Sequence, residues 1–248
     1  MSVPRQLALA LPHTESFARE DFLAGDSNAA ALALIERWPD WPDRALAVTG
    51  PEGSGKSHLA AIWAERSGAR RIAARALGEV DPLAALATGA LVVEDASAPL
   101  DERALFHLLN LVREEDAFLL LTAPAAPASW PVALPDLASR LRAMPVVTLS
   151  APDDALLRAV LVKLFADRQL DVGERLIGYL SKRIERSFAA ARETVALIDR
   201  EALRQQRPVN RSFAVETLRL APDPDQAGSG LDPEWTPVFG GDRGPRKN

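Results

Sequence analysis

Eight consecutive residues, Gly50-Pro-Glu-Gly-Ser-Gly-Lys-Ser57, carry a spacing with a defined chemistry. A glycine, four residues of any type and then Gly-Lys-Ser build a loop whose backbone N–H groups turn inward around a phosphate. Gly50, Gly53 and Gly55 permit that backbone without a Cβ clash. A helix beginning at Lys56 presents its positive dipole end to the same anion. In this arrangement Lys56 contacts the β- and γ-phosphates, Ser57 offers its hydroxyl to Mg2+, and His58 follows as a further cofactor-binding candidate. The chain has only four lysines among 29 basic residues. One of them stands where a compact ammonium, rather than a guanidinium fork, is wanted. The competing reading is a glycine-rich turn that happens to contain Lys-Ser; strand and helix patterns on either side argue against it.

A second acidic signal lies at Leu91-Val92-Val93-Glu94-Asp95, an apolar strand ending in two carboxylates. Glu94 and Asp95 are candidates for holding Mg2+ and orienting a water, with Glu94 and Ser57 the metal-ligand candidates. An exposed acidic strand end is the plainer alternative. Arg140 is, by residue type alone, a helix-surface arginine in a salt bridge.

The elements that must position these residues follow from short apolar runs. Ala45–Thr49 reads as a buried strand running into Gly50, with a helix from Lys56 to about Ser67. Further strands are expected at Arg71–Ala74, Ala90–Val93, Phe118–Thr122 and Val146–Leu149. Between them, Glu102–Glu114 places Leu105, Leu108, Leu109 and Val112 on one helical face. Strands alternating with helices imply right-handed crossovers and a mostly parallel, doubly wound α/β sheet. Phe17 to Trp38 reads as helical. After Pro152, an apolar stripe through Leu156, Leu157, Val160, Leu161 and Leu164 opens a helical region, with further helices over about 173–185, 187–206 and 212–218. The expected organisation is an extended leader (1–16), a nucleotide-binding α/β domain (17–151), a small helical lid (152–220) and a disordered tail (221–248).

Composition narrows the function classes. The net charge is −5, the wrong sign for a protein that mainly grips duplex DNA by electrostatics. With no cysteine, disulfides, zinc-thiolate sites and thiol catalysis are excluded. His13, His58 and His107 are scattered and give little support to a multi-histidine metal site. The uncharged stretch Ala117–Pro135 is interrupted by Pro124, Pro127, Pro131 and Pro135, so a strand followed by a loop fits better than a membrane span. The chain reads as cytoplasmic.

Taken together, these residues resemble the AAA+ module of the DnaA-related family, and within it the Hda-type regulators. Phe17, Phe22, Gly25 and Asn28 are similar to the family's entry segment, which encloses adenine. Leu134-Pro-Asp-Leu-Ala-Ser-Arg140-Leu141 is similar to the Box VII segment, which implies an arginine-finger role for Arg140. Gln6-Leu7-Ala8-Leu9-Ala10-Leu11 is similar to the family's short sliding-clamp motif, with Gln6, Leu7, Leu9 and Leu11 as contact residues. Alone, that hexamer reads equally as an edge strand or packed leader. The resemblance covers about Gln6 to Leu218.

The resemblance implies an AAA+ P-loop fold with a helical lid, ADP or ATP as ligand with Mg2+, and two partners: DnaA and the clamp, with DNA reached through the clamp. Self-association is left open. No DNA-binding helix-turn-helix follows the lid, so a regulator that stimulates ATP hydrolysis by DnaA is expected rather than an initiator. Three positions depart from the family. Glu94 stands where Asp is usual, Pro124 takes the polar sensor 1 position, and Ala189 takes the sensor 2 arginine. Arg186 and Arg192 lie about one turn either side and could substitute for the latter. These departures point to binding without efficient turnover. The alternatives are a self-acting ATPase or helicase-loader-like protein, a nucleotide-bound clamp adaptor without a catalytic role, and, more remotely, a small P-loop kinase.

Overall fold

The computed structural model describes residues 17–97 and 99–220. Strands β1 (Ala45–Thr49), β2 (Arg70–Ala73), β3 (Ala90–Glu94), β4 (Phe118–Ala123) and β5 (Val146–Thr148) form one parallel sheet in the order β2-β3-β4-β1-β5. The inner strands β1, β3 and β4 are near-continuous buried apolar runs, as a parallel sheet covered on both faces requires, whereas the edge strands β2 and β5 are partly exposed. Along β1, Ala45 and Ala47 enter one apolar cluster while Leu46 and Val48 enter the other, as the two-residue period of a strand dictates. Helices α1 (Ala29–Glu36) and α2 (Lys56–Ser67) cover the second face. The first is covered by α3 (Pro82–Ala85), α4 (Glu102–Glu114) and α5 (Pro135–Ala143). The chain reverses direction across the sheet at β1, which puts a ligand crevice at the closing ends of β1 and β4.

All five expected strands are present, and α2 and α4 have the expected bounds. One segment differs. The helical reading of Phe17–Trp38 shrinks to a 3-10 turn at Arg19–Asp21 and the eight-residue α1. The break is an Asn-centred turn: Asn28 Oδ1 accepts from Gly25 N–H at 2.8 Å, and its amide donates to the Leu23 carbonyl at 3.0 Å. The uncharged stretch is a strand, β4, followed by a loop as expected, and its last residue, Pro135, opens α5, where the missing N–H costs nothing at the first helical position.

Four further helices, α6 (Asp154–Asp167), α7 (Glu174–Leu180), α8 (Phe188–Gln205) and α9 (Arg211–Leu220), share a separate apolar cluster around Leu161, Phe165, Ile177, Val195 and Phe213. Asp153 and Ser187 cap α6 and α8, accepting from Leu156 N–H (2.7 Å) and Ala190 N–H (3.0 Å). Among the described residues no helix is long and apolar enough to cross a membrane.

Candidate nucleotide site

The segment between β1 and α2 takes a backbone that only glycine tolerates at its key points. Gly50 has φ +148°, and a Cβ there would stand 2.5 Å from the Leu149 carbonyl oxygen. Gly53 and Gly55 lie at φ +69° and +99°. Gly50 N–H donates to the Ala123 carbonyl at 3.2 Å, tying the loop to the end of β4. Lys56 folds over the loop, donating to the carbonyls of Gly50 (2.9 Å) and Pro51 (2.7 Å). Burial lowers the Lys56 pKa from its ordinary value, against the opposing charges of Asp95 and Glu52. Ser57 sits in the first turn of α2. Ser54 is buried, and its hydroxyl has no partner among the described residues.

The two acidic candidates separate in their surroundings. Glu94 accepts from Arg71 of the edge strand β2 at 2.7 and 2.8 Å and is mostly buried. Asp95 adopts a left-handed backbone (φ +57°), and its N–H donates to the buried Thr122 hydroxyl at 3.1 Å. It is Asp95 whose charge reaches Lys56. Pro124 directly follows β4 and offers no polar side chain.

The lid meets the phosphate loop at the start of α8. Phe188 N–H donates to the Gly53 carbonyl at 2.9 Å. A Cβ on Gly53 would come within 2.9 Å of Ser187 Cβ and 3.0 Å of Ala189 Cβ. Beside this contact lies a cavity of about 380 Å3 whose walls include Phe17, Phe22, Gly55, His58, Phe188 and Arg192. That volume is in the range of small-molecule sites. His58 is held edge-on between Phe17 and Phe22, with ring centroids 5.4 and 5.1 Å away, and its Nε2–H donates to the Ala18 carbonyl at 3.0 Å. Burial lowers its pKa, the Ala18 contact opposing. Of the two arginines flanking Ala189, Arg192 lines the cavity, while Arg186 is exposed and does not.

Arg140 lies elsewhere. Its guanidinium stacks over Phe106 of α4 (5.0 Å to the ring centroid) and reaches the Leu109 carbonyl at 3.5 Å. With Arg44, Ala45 and Met144 it borders the opening end of β1, whereas the phosphate loop leaves the closing end. Five residues of strand put about 13 Å between those ends. Gln6, Leu7, Leu9 and Leu11 lie outside the described residues, as does the segment from 221 onward.

Sequence reasoning did not single out Arg71, Thr122 or Phe188. Only the register of β2 against β3 makes Arg71 a neighbour of Glu94, and the docking of α8 on Gly53 leaves no local pattern.

No protein-family model matches the chain. Among solved structures it is similar to domain III of the Thermotoga maritima replication initiation protein DnaA, with a TM-score of 0.69 at 16% identity over 82% of this chain and 95% of that one. This is a DnaA-like AAA+ P-loop fold. AMPPCP-bound DnaA from Aquifex aeolicus aligns with a TM-score of 0.59 at 17% identity, over 75% of this chain and 67% of that one. The Thermotoga maritima RuvB Holliday junction branch migration motor aligns with a TM-score of 0.63 at 15% identity, over 83% and 72%.

Proposed function

We propose that the chain binds an adenine nucleotide, ADP or ATP, between the loop 50–57 and the helical lid, and that it regulates DnaA by supplying Arg140 to a triphosphate held by that partner. The observation that carries the nucleotide reading is the glycine cradle. A Cβ at Gly50 would collide with the Leu149 backbone, and the lid's Phe188 closes on Gly53. Glycines at these points let the loop fold tightly enough for its backbone N–H groups to turn toward a phosphate. Lys56 would exchange its two loop carbonyls for the β- and γ-phosphates. The apolar walls at Phe17, Phe22 and Phe188 suit a flat base, and the AMPPCP held by DnaA of the same fold supports adenine.

For Mg2+ the residues also fit, with Ser57 and Asp95 the better-disposed oxygen donors. Glu94 contributes only if its pair with Arg71 opens. When bound, the cation offsets phosphate charge. Pro124 and Ala189 leave no polar side chain at two positions where the family orients water and phosphate, so turnover by the chain itself is slow. Arg192, lining the cavity, is the cation that compensates for Ala189.

Arg140 sits too far from its own loop to act in cis, which suits a finger offered to another molecule. A guanidinium there offsets charge on the equatorial oxygens of the transferring phosphoryl group, worth about 10³–10⁵ in rate when supplied in trans. The leader motif Gln6–Leu11 would hold the protein on the sliding clamp, so that DnaA is met after replication has begun. The test mixes the full chain with ATP-loaded DnaA, with and without DNA-loaded clamp, and follows phosphate release. Stimulation is expected with the wild type and is lost in Arg140→Ala, which still binds nucleotide. Equal stimulation by that variant rejects the finger role. Measurable hydrolysis by the isolated chain, lost in Glu94→Gln, would favour a self-acting ATPase instead.

A further inference from the structure

Contacts between the lid and the α/β body differ in leverage. Near the start of α6, Leu156 packs on Gly25, where a Cβ would stand 3.0 Å from Leu156 Cδ2. At the phosphate loop, Phe188 meets Gly53. The third contact lies farther out: Lys163 on α6 sets its ammonium 2.7 Å from Asp21 Oδ1, on the 3-10 turn that precedes α1. Asp167, one turn along α6, accepts from the same ammonium at 3.0 and 3.1 Å, which holds Lys163 in the orientation that reaches Asp21. The hydrogen bond to Asp21 is the largest cause of a Lys163 pKa raised above its ordinary value.

These three residues line the same cavity as Phe22 and His58. Lys163 stands ten residues beyond the Asp153 cap, about 15 Å along α6 from its start. An ion pair at that distance resists rotation of the lid about the start of α6 with a long lever arm, whereas the Leu156 contact, three residues from the cap, does so hardly at all. The Lys163 and Asp21 side chains are 27% and 23% exposed, so the pair is less screened than one on open surface.

We propose that Lys163 is a positioning residue whose ion pair with Asp21 latches the lid to the entry segment and slows release of the adenine nucleotide from the cavity between them. This rests on the nucleotide reading above. The chain's specificity for its ligand is left to Phe17, Phe22 and the phosphate loop; the latch acts on residence time.

The experiment uses the full chain loaded with a fluorescent N-methylanthraniloyl-ADP and chased with excess ADP in a stopped-flow instrument. Lys163→Met and Asp21→Asn each speed release by about two- to fivefold, the range of a partly exposed ion pair. Association changes little. The double variant releases no faster than the quicker single one, because either substitution already opens the latch. Raising the salt concentration speeds release from the wild type by a larger factor than from Lys163→Met. Glu201→Gln, which breaks an exposed pair with Arg204 inside α8, is the control and releases at the wild-type rate. Release from Lys163→Met at the wild-type rate, or multiplied effects in the double variant, overturns the latch. A wild type with no saturable fluorescence change overturns the nucleotide reading itself, and the latch with it.

Discussion

At the scale of single residues, small groups in crowded places shape the site. Gly53 combines a left-handed backbone with a lid side chain 2.9 Å from where its Cβ would stand. Gly53→Ala is therefore expected to lower stability by about 1 kcal/mol or more and to weaken nucleotide binding, as followed by thermal melting and ADP titration. An unchanged melt would mean that the lid does not close on the loop. His58 gives a pH signature. Burial lowers its folded pKa, so the folded chain binds fewer protons than the unfolded one between that value and about 6.5. The stability it contributes is full above the unfolded value and is lost as pH falls through the folded one. His58→Gln is expected to flatten the melting temperature against pH in that window, compared directly with the wild type. Much of this site was legible in the sequence, because the Gly-Lys-Ser spacing names its own chemistry. What was not legible is the company each residue keeps. Nothing local to Glu94 foretells Arg71, and nothing local to Asp95 foretells the Thr122 hydroxyl beneath its backbone.

At the scale of elements, α8 is the piece that joins lid to phosphate loop. Its cap Ser187 accepts from Ala190 N–H, and the next residue donates to Gly53. Ser187→Ala is expected to cost about 1 kcal/mol and to loosen nucleotide binding with it, read by chemical denaturation with and without ADP. Loss of stability without loss of affinity would separate the helix from the site. The five strands and the helices α2 and α4 were readable because period and apolar character agree there. The entry segment was not: its apolar residues fall at helical spacing, but Asn28 takes the backbone groups of Leu23 and Gly25 for its own turn. The loop after β4 was readable from its prolines, and it ends where Pro135, the last of the four, sits harmlessly in the first turn of α5.

At the scale of the whole molecule, the fold separates two surfaces that the proposed function needs apart. One, the cavity under the lid, would hold the chain's own nucleotide; the other presents Arg140 at the opposite end of β1. The lid belongs to the first surface twice over, through Phe188 at the phosphate loop and through Lys163 at the entry segment. Under the proposed function, the nucleotide would act as a structural cofactor that fixes the attitude of lid to body. The most direct measurement is calorimetric titration of ADP, with Mg2+ present, into the full chain and into Lys56→Ala. Saturable heat at one site per chain, abolished in the variant, is the predicted result. No heat of association with millimolar ligand, or equal heat from the two proteins, would contradict the account.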